Sequence, residues 1–377
     1  MRNLFFLLLL SAVSGFLSAQ ATDHDLVRAT VQAYLDGTSY NRADLLEDSF
    51  HENISMYFSK RGEHWQPTRE EYIGFFRNDK TGQPTGRVGN IRLIEVSGDV
   101  ATAKAEVLIP AQKWLFIDYF LLKKIEGKWW IVSKTASSGP TIQHGGRILM
   151  AVSNANTYGD TDLPTGNHFG EIASAYHEFV EAGFTVDFVS PEGGPVAVNY
   201  LYSVDDANGK YLRDAEFWYR LNHTLPASEL SAQDYAAIYF PGGGAIMFGV
   251  ADHPDVQRLI AGIYENNGAV AAVCHGTAGI TNVTLSNGEP LLKGKTLTGF
   301  PDALEKKDEA YYATFPFTID GRVSAQGGTL QSKPQLNLGF MVTDGRLVTG
   351  MDHSATTAVA RKVVEIVAPE STTSRKD

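Results

Sequence analysis

The chain has 377 residues, 43% of them hydrophobic and 20% charged, and carries a formal net charge of -11. That length exceeds what one hydrophobic core usually serves, so two domains are expected. The acidic balance supplies no basic field for nucleic acid or an anionic lipid surface, and neither is expected as a partner.

The first residues run from Met1-Arg2 through the apolar stretch Leu4 to Leu10 and the small residues Ser11 to Ala19, the layout of a secretory signal peptide. The apolar part is shorter than the ~20 residues that span a bilayer. Residues 1–20 therefore read as a signal segment cleaved near Ala19 or Ala21, leaving a periplasmic or secreted product with no membrane anchor. The chain has a single cysteine, Cys274, so no intrachain disulfide is possible. A lone exported thiol is an oxidation hazard, although free cysteines are also often simply buried.

Over residues 25–49 the apolar positions Leu26, Val27, Val31, Tyr34 and Leu35 recur at helical spacing, and Leu45 and Leu46 continue after a break at Asn41, which predicts a helix pair. From Asn90 the period becomes two, with Ala101, Ala103, Ala105 and Val107 alternating against Thr102, Lys104 and Glu106. Trp114 to Ile125 and Lys128 to Val132 follow as strands joined by the turn Glu126-Gly127. Helices followed by an antiparallel sheet give an α+β domain.

Ser137 to Gly145, with Gly139-Pro140, reads as a linker. Beyond it strands and helices alternate: strand Arg147 to Val152, helix Glu171 to Ala182, strand Phe184 to Val189, strand Tyr235 to Phe240, helix over Val256 to Tyr264, strand Ala269 to Val273. This predicts an α/β, doubly wound, mostly parallel sheet of flavodoxin-like type. Its ligands belong beyond the carboxyl ends of the strands, where "NANTYG", "PGGG" and Cys274 fall. Residues 197–232, rich in aromatics and charge, read as an inserted lid-like segment, and 369–377 as a polar tail.

The sharpest chemical signal is "AAVCHGTAG". A buried strand ends at Cys274, with Ala272 and Gly276 flanking it at two-residue spacing as in a nucleophile elbow. Amides at the start of a following helix are expected to lower the thiol pKa. From spacing alone a buried structural cysteine beside a glycine-rich turn stays open. The glycines of "YFPGGGAIMFG" let the Gly243 or Gly244 N–H join the His275 N–H as an oxyanion hole, or form an ordinary turn. Glu171 opens a helix, where the dipole alone favours an acid. His275 is equally compatible with a solvated surface position. No HExxH or cysteine-histidine cluster is present, so neither His168 nor His177 marks a metal site.

Residues 23–136 resemble the nuclear transport factor 2-like superfamily in its SnoaL-like, lumazine-binding-related branch, through "LVRATVQAYLDG", "HENISMYF" and "DYFLLKKIEGKWWIVSKTAS". The resemblance implies an antiparallel sheet curved into a cone around a pocket, with Trp129, Trp130, Tyr57 and His51 as pocket lining or core. It assigns no catalysis.

Residues 146–368 resemble the ThiJ/PfpI superfamily, of class I glutamine-amidotransferase-like fold, in its heat-shock chaperone and glyoxalase III subgroup. The matching segments, in order, are "TGNHFGEIASAYHEFVEAGFTVDFVSPEGG", "AAIYFPGGGAIMFG", "GAVAAVCHGTAGI", "GKTLTGFPDALE" and "MVTDGRLVTG". The resemblance implies Cys274 as nucleophile, Glu171 as the acid/base beside it, His275 as helper, and Glu305 as the acid orienting that histidine. It implies a small-molecule carbonyl substrate: conversion of 2-oxoaldehydes such as methylglyoxal to 2-hydroxy acids without glutathione, metal or other cofactor, and deglycation beside it. A cysteine peptidase or amidase, and a non-catalytic chaperone or ligand-binding protein, are the alternatives. Both folds commonly dimerise, which points to a homodimer. The chain departs from the subgroup at Gly244, where a histidine is usual, at Gly249, where an acid is usual, and after "SPEGG", where Val198 and Asn199 replace an aspartate. "MDHSATT" supplies His353 without the acid that glutaminases of this fold need, which disfavours glutamine hydrolysis.

Overall fold

A computed structural model describes residues 21–60, 62–201 and 206–368. The expected signal segment and polar tail lie outside these residues. Two domains are present, each built around its own sheet.

In the first, α1 (Asp23–Ser39) starts at a capping box between Thr22 and Asp25 and turns Val27, Val31, Tyr34 and Leu35 inward. Asn41, at φ 51°, breaks the chain before α2 (Ala43–Ser49). Then come β1 (Phe50–Lys60), β2 (Glu63–Trp65), α3 (Arg69–Gly74), β3 (Val88–Ser97), β4 (Val100–Ile109), β5 (Trp114–Ile125) and β6 (Lys128–Pro140). They form one six-stranded sheet in the order β2-β1-β6-β5-β4-β3. Two readings are corrected. The sheet is mixed rather than antiparallel, because "HENISMYF" is strand β1 and lies parallel to β6; a period of two marks a strand but not the direction of its partner. The expected linker is also shorter, since residues 137–140 pair with Trp114 to Ile117 as the end of β6. Pro140 closes the strand, where its missing N–H costs no internal ladder bond. Trp129 is core, 2% exposed, with its indole N–H donating to Asp23 at 3.0 Å.

The second domain contains β7 (Arg147–Ala151), β8 (Asn167–His168), α4 (Phe169–Glu181), β9 (Thr185–Ser190), β10 (Val198–Asn199), α5 (Asp206–Tyr211), α6 (Ala215–Asn222), β11 (Leu225–Pro226) and β12 (Ala237–Phe240). After these come α7 (Pro254–Glu265), β13 (Ala269–Val273), β14 (Thr296–Leu297), α8 (Ile319–Ala325), β15 (Thr329–Leu330), β16 (Met341–Asp344), β17 (Leu347–Gly350) and α9 (Thr356–Val367). Seven strands make the main sheet, in the order β11-β9-β7-β12-β13-β17-β16, all parallel except β16 against β17. Ile148 and Met150 of β7 face one apolar layer with Phe169, Ile172 and Val359, while Leu149 and Ala151 face the other with Leu259 and Ile263. Helices thus cover both faces, which is why the central strands read as unbroken apolar runs.

The segment 197–232 does more than cover a site. Its α6 docks on the first domain: Tyr219 belongs to that domain's core, and its hydroxyl meets His24 Nε2 at 3.1 Å and Arg28 Nη2 at 3.2 Å. Glu216 accepts from Arg92 Nε at 3.0 Å and from Lys104. Removing this carboxylate leaves Lys104 without an ion-pair partner among the described residues, while Arg92 keeps Glu106 at 2.8 Å. Glu216→Ala is therefore expected to lower unfolding stability by about 1–3 kcal/mol, read from urea denaturation; an unchanged midpoint would mean that solvent already screens the cluster.

Candidate active site

β13 consists of small and branched apolar residues, all buried, and it delivers Cys274 to the carboxyl edge of the sheet. Cys274 has φ 60°, a left-handed backbone that a non-glycine residue rarely adopts. The tightness of the bend is set by Gly276: a Cβ there would lie 2.2 Å from the Phe240 carbonyl oxygen at the end of neighbouring β12. Residues Cys274–Ile280 continue as 3₁₀ turns rather than as the expected α-helix.

Glu171 comes from the first turn of α4, whose N-cap is His168: the imidazole Nδ1 accepts from the Glu171 N–H at 3.3 Å. The Glu171 side chain is fully buried and contacts the Cys274 thiol. Its Oε2 accepts from the Gly242 N–H at 2.6 Å, while Oε1 has no aligned donor. On the other side of the sulfur, His275 Nδ1 lies 3.5 Å from Cys274 Sγ. His275 Nε2 meets Glu305 Oε1 at 2.8 Å, and Glu305 Oε2 accepts from the Tyr311 hydroxyl at 3.0 Å. The imidazole is clamped face to face on Phe300, with ring centroids 4.5 Å apart. A continuous path therefore runs from sulfur through imidazole and carboxylate to phenol, so His275 is not a solvated surface residue.

These groups line one cavity of about 320 Å³, into which Gly243 and Gly244 also open, with Tyr158, Tyr200, Phe315 and His353 completing the wall. Sequence reasoning brought Glu171, Gly243, Gly244, Cys274, His275 and Glu305 forward, and all six meet here. At Gly244 the space a side chain would take is filled by Tyr158, whose hydroxyl lies 2.5 Å from where a Cβ would sit.

A model of the DJ-1/PfpI family matches residues 167–366, more than half of the chain. The chain belongs to the DJ-1/PfpI family. The first domain, over residues 22–137, matches the family described as "Putative lumazine-binding". Among relatives, the Saccharomyces cerevisiae protein named glutathione-independent glyoxalase HSP31 is 29% identical over 230 residues, 58% of this chain and 97% of its own length. Glyoxalase 3 of Candida albicans is also 29% identical, over 234 residues that cover 58% and 97%. The crystal structure of glyoxalase III from Candida albicans superposes with a TM-score of 0.53 at 26% identity, covering 60% of this chain and 98% of that one.

Within the DJ-1/PfpI domain the electrostatics differ from expectation in one respect. The Cys274 thiol is pushed well above its usual range, first by burial and then by the Glu171 carboxylate. The His275 N–H does favour the thiolate, as expected of the amides after the bend. One amide on a short 3₁₀ turn is outweighed by a dry pocket and a neighbouring anion. Glu171 itself is pushed up to about 8, mainly by burial, with the Gly242 N–H and the thiol opposing. His168 is held down to about 4 by burial and by His353, so it stays neutral near pH 7.

Gly242 was missed in the sequence, where it looks like one glycine of three. A Cβ there would lie 2.8 Å from Cys274 Cβ and 2.9 Å from both Glu171 Oε2 and the His275 nitrogen. Tyr158 and Tyr311 were missed because no spacing ties them to the cysteine.

The raised Glu171 pKa carries a stability consequence in this DJ-1/PfpI domain. The folded state holds the proton up to about pH 8, whereas an unfolded glutamate loses it near 4.5. The contribution is complete below the lower value and disappears as pH rises through the upper one. Glu171→Gln cannot ionise, so its melting temperature should exceed that of the native protein at pH 9 by more than at pH 5. Parallel melting curves for the two proteins across that range would contradict the assignment.

Proposed function

We propose that this protein converts 2-oxoaldehydes such as methylglyoxal into 2-hydroxy acids without glutathione. The observation that carries the reading is a buried thiol in contact with a carboxyl that burial pushes up to about 8, at the wall of a cavity of about 320 Å³. The names of the relatives support it. A cavity of about 320 Å³ walled by aromatic rings suits a small carbonyl compound better than a peptide strand.

In the proposed sequence Cys274, presented on a nucleophile elbow, passes its proton to the Glu171 carboxylate as sulfur attacks the aldehyde carbon. The aldehyde oxygen becomes the hemithioacetal hydroxyl, protonated from His275 and steadied by the Gly243 and His275 N–H groups. Glu171 hands that proton back to His275 through solvent and then removes the C1 hydrogen as a proton; the C1 hydroxyl proton moves to the C2 oxygen and Glu171 returns its proton to C2, by way of an enediol. The result is a thioester of the 2-hydroxy acid. Water attacks the thioester carbonyl, the C–S bond breaks, and the thiol regains its proton. No oxidant is consumed: C1 is oxidised as C2 is reduced, and the sum is oxoaldehyde plus water giving hydroxy acid. Glu305, held by Tyr311, keeps the His275 ring turned toward the sulfur. We propose further that residues 1–20 direct export, which the N-terminal mass of protein recovered outside the cytoplasm would test.

The decisive assay follows lactate from methylglyoxal. Cys274→Ser should abolish turnover and Glu171→Gln should lower kcat by about 100-fold or more, with both variants folded. Native-rate lactate formation by Cys274→Ser would remove the nucleophile and the proposal with it.

Because Glu171 must be ionised to take the thiol proton, kcat/KM should rise with pH through about 8. Gly242→Ala should depress kcat sharply, because its methyl group pushes apart Cys274, Glu171 and the His275 amide. A pH profile flat from 6 to 9 would count against Glu171 as the base.

A further inference from the structure

The first domain contains a cavity of about 350 Å³, separate from the cysteine site, between the sheet and helices α1 and α3. None of Trp129, Trp130, Tyr57 and His51, the residues the sequence suggested for such a pocket, lines it. Its walls are rings: Phe58, Trp65, Tyr72, Phe75, Phe76 and Phe116. Phe58 lies 5.6 Å from Trp65 and is stacked on Tyr72 at 5.9 Å, so these faces are held in place rather than collapsed on each other.

Three charged side chains enter this apolar space, and two of them cancel. Lys134 and Asp118, 2% and 3% exposed, form an ion pair at 2.7 Å. Asp118 Oδ2 also accepts from the Tyr34 hydroxyl at 2.7 Å, and Tyr34 in turn lies 3.0 Å from the Tyr72 hydroxyl, which must then be the donor. The Lys134 ammonium is further surrounded by Phe58, Tyr34, Phe120 and Tyr72 rings at 4.8 to 5.7 Å. This network is closed and offers no charge to a ligand.

Arg87 is the third. Its guanidinium carbon lies 5.3 Å from the Phe76 ring and 5.9 Å from the Phe116 ring. Among the described residues it has no acid within ion-pair distance and no side-chain hydrogen bond. Two cations and one anion leave the cavity with one uncompensated positive charge, presented by a five-donor fork fixed between two rings. Ring contact satisfies the face of a guanidinium but not its N–H edge, which matches a carboxylate bidentately. A dianion would instead leave an unpaired charge in an apolar space.

We infer that this domain carries a second small-molecule site, which takes an organic monocarboxylate with a planar aromatic body: the ring system between the Phe58, Trp65 and Phe116 side chains, the carboxylate on Arg87. The site is independent of the Cys274 chemistry. The protein's overall negative charge repels anions at long range, so the selectivity comes from this local pairing.

Isothermal titration of the full-length protein with 2-naphthoate, 2-naphthylmethanol and 2-naphthyl phosphate tests this. The carboxylate should bind about tenfold or more tightly than the alcohol and than the phosphate dianion. Arg87→Gln should raise the Kd for 2-naphthoate about tenfold while leaving the alcohol unchanged, and Arg87→Lys should retain part of the preference. Arg87 is partly exposed and lies before β3, and unchanged melting of Arg87→Gln serves as the control for folding. Cys274→Ser should bind 2-naphthoate as the native protein does. Equal affinity for acid and alcohol, no effect of Arg87→Gln, or loss of binding in Cys274→Ser would each overturn the inference.

Discussion

Glu171 and Cys274 are two acids in a space too dry to hold both as anions, and the arrangement of the second domain follows from keeping them together. Burial raises both; the Glu171 carboxylate raises the thiol further, while the thiol, hydrogen-bonded to Glu171, partly offsets the rise of the carboxyl. The pair gives up its first proton as a unit, as pH rises toward about 8. To reach that state the fold accepts a left-handed backbone at Cys274, a glycine at 242 where any side chain would wedge the two acids apart, and a glycine at 276 so that the bend can pass under β12. Each of these departures from relaxed geometry has the same beneficiary. The charge that the site does tolerate is placed on the other side of the sulfur, where Glu305 faces the His275 imidazole at 2.8 Å and takes a hydrogen bond from Tyr311.

Much of this was legible from local chemistry. The apolar strand ending in Cys274, the small residues two positions on either side, and the acid opening α4 are close in sequence to the backbone events that they serve. Helices α1 and α2 and strands β4 to β6 announced themselves by period, and Glu126-Gly127 by turn chemistry. The parallel pairing of β1 with β6 was hidden, because it joins residues about 80 positions apart and a period of two carries no information on the direction of the partner. Tyr158 and Tyr311 were hidden for a related reason: they reach the cavity from loops, and loop contacts leave no periodic trace. The sign of the Cys274 shift went wrong because a count of nearby amides says nothing about how much water burial removes.

The two cavities treat charge in opposite ways. Around Cys274, burial keeps carboxyl and thiol protonated. In the first domain, the Lys134 and Asp118 charges are paired and sealed by Tyr34 and Tyr72, and Arg87 is left over. One site suppresses the ionisation of its acids, and the other presents a permanent charge on an aromatic floor.

The docking of α6 has a practical consequence. The segment that carries Tyr200 to the wall of the cysteine cavity continues into a helix whose Tyr219 is part of the other domain's core and whose Glu216 answers Arg92 and Lys104. Severing the chain after β6 would therefore not yield two self-sufficient halves. The DJ-1/PfpI half would display an orphaned aromatic ring and carboxylate, the other half a bare socket with Lys104 unpaired, and each fragment would invite self-association through the surface it had lost. Changes on α6 are therefore felt by both domains at once, through Tyr219 on one side and Tyr200's segment on the other.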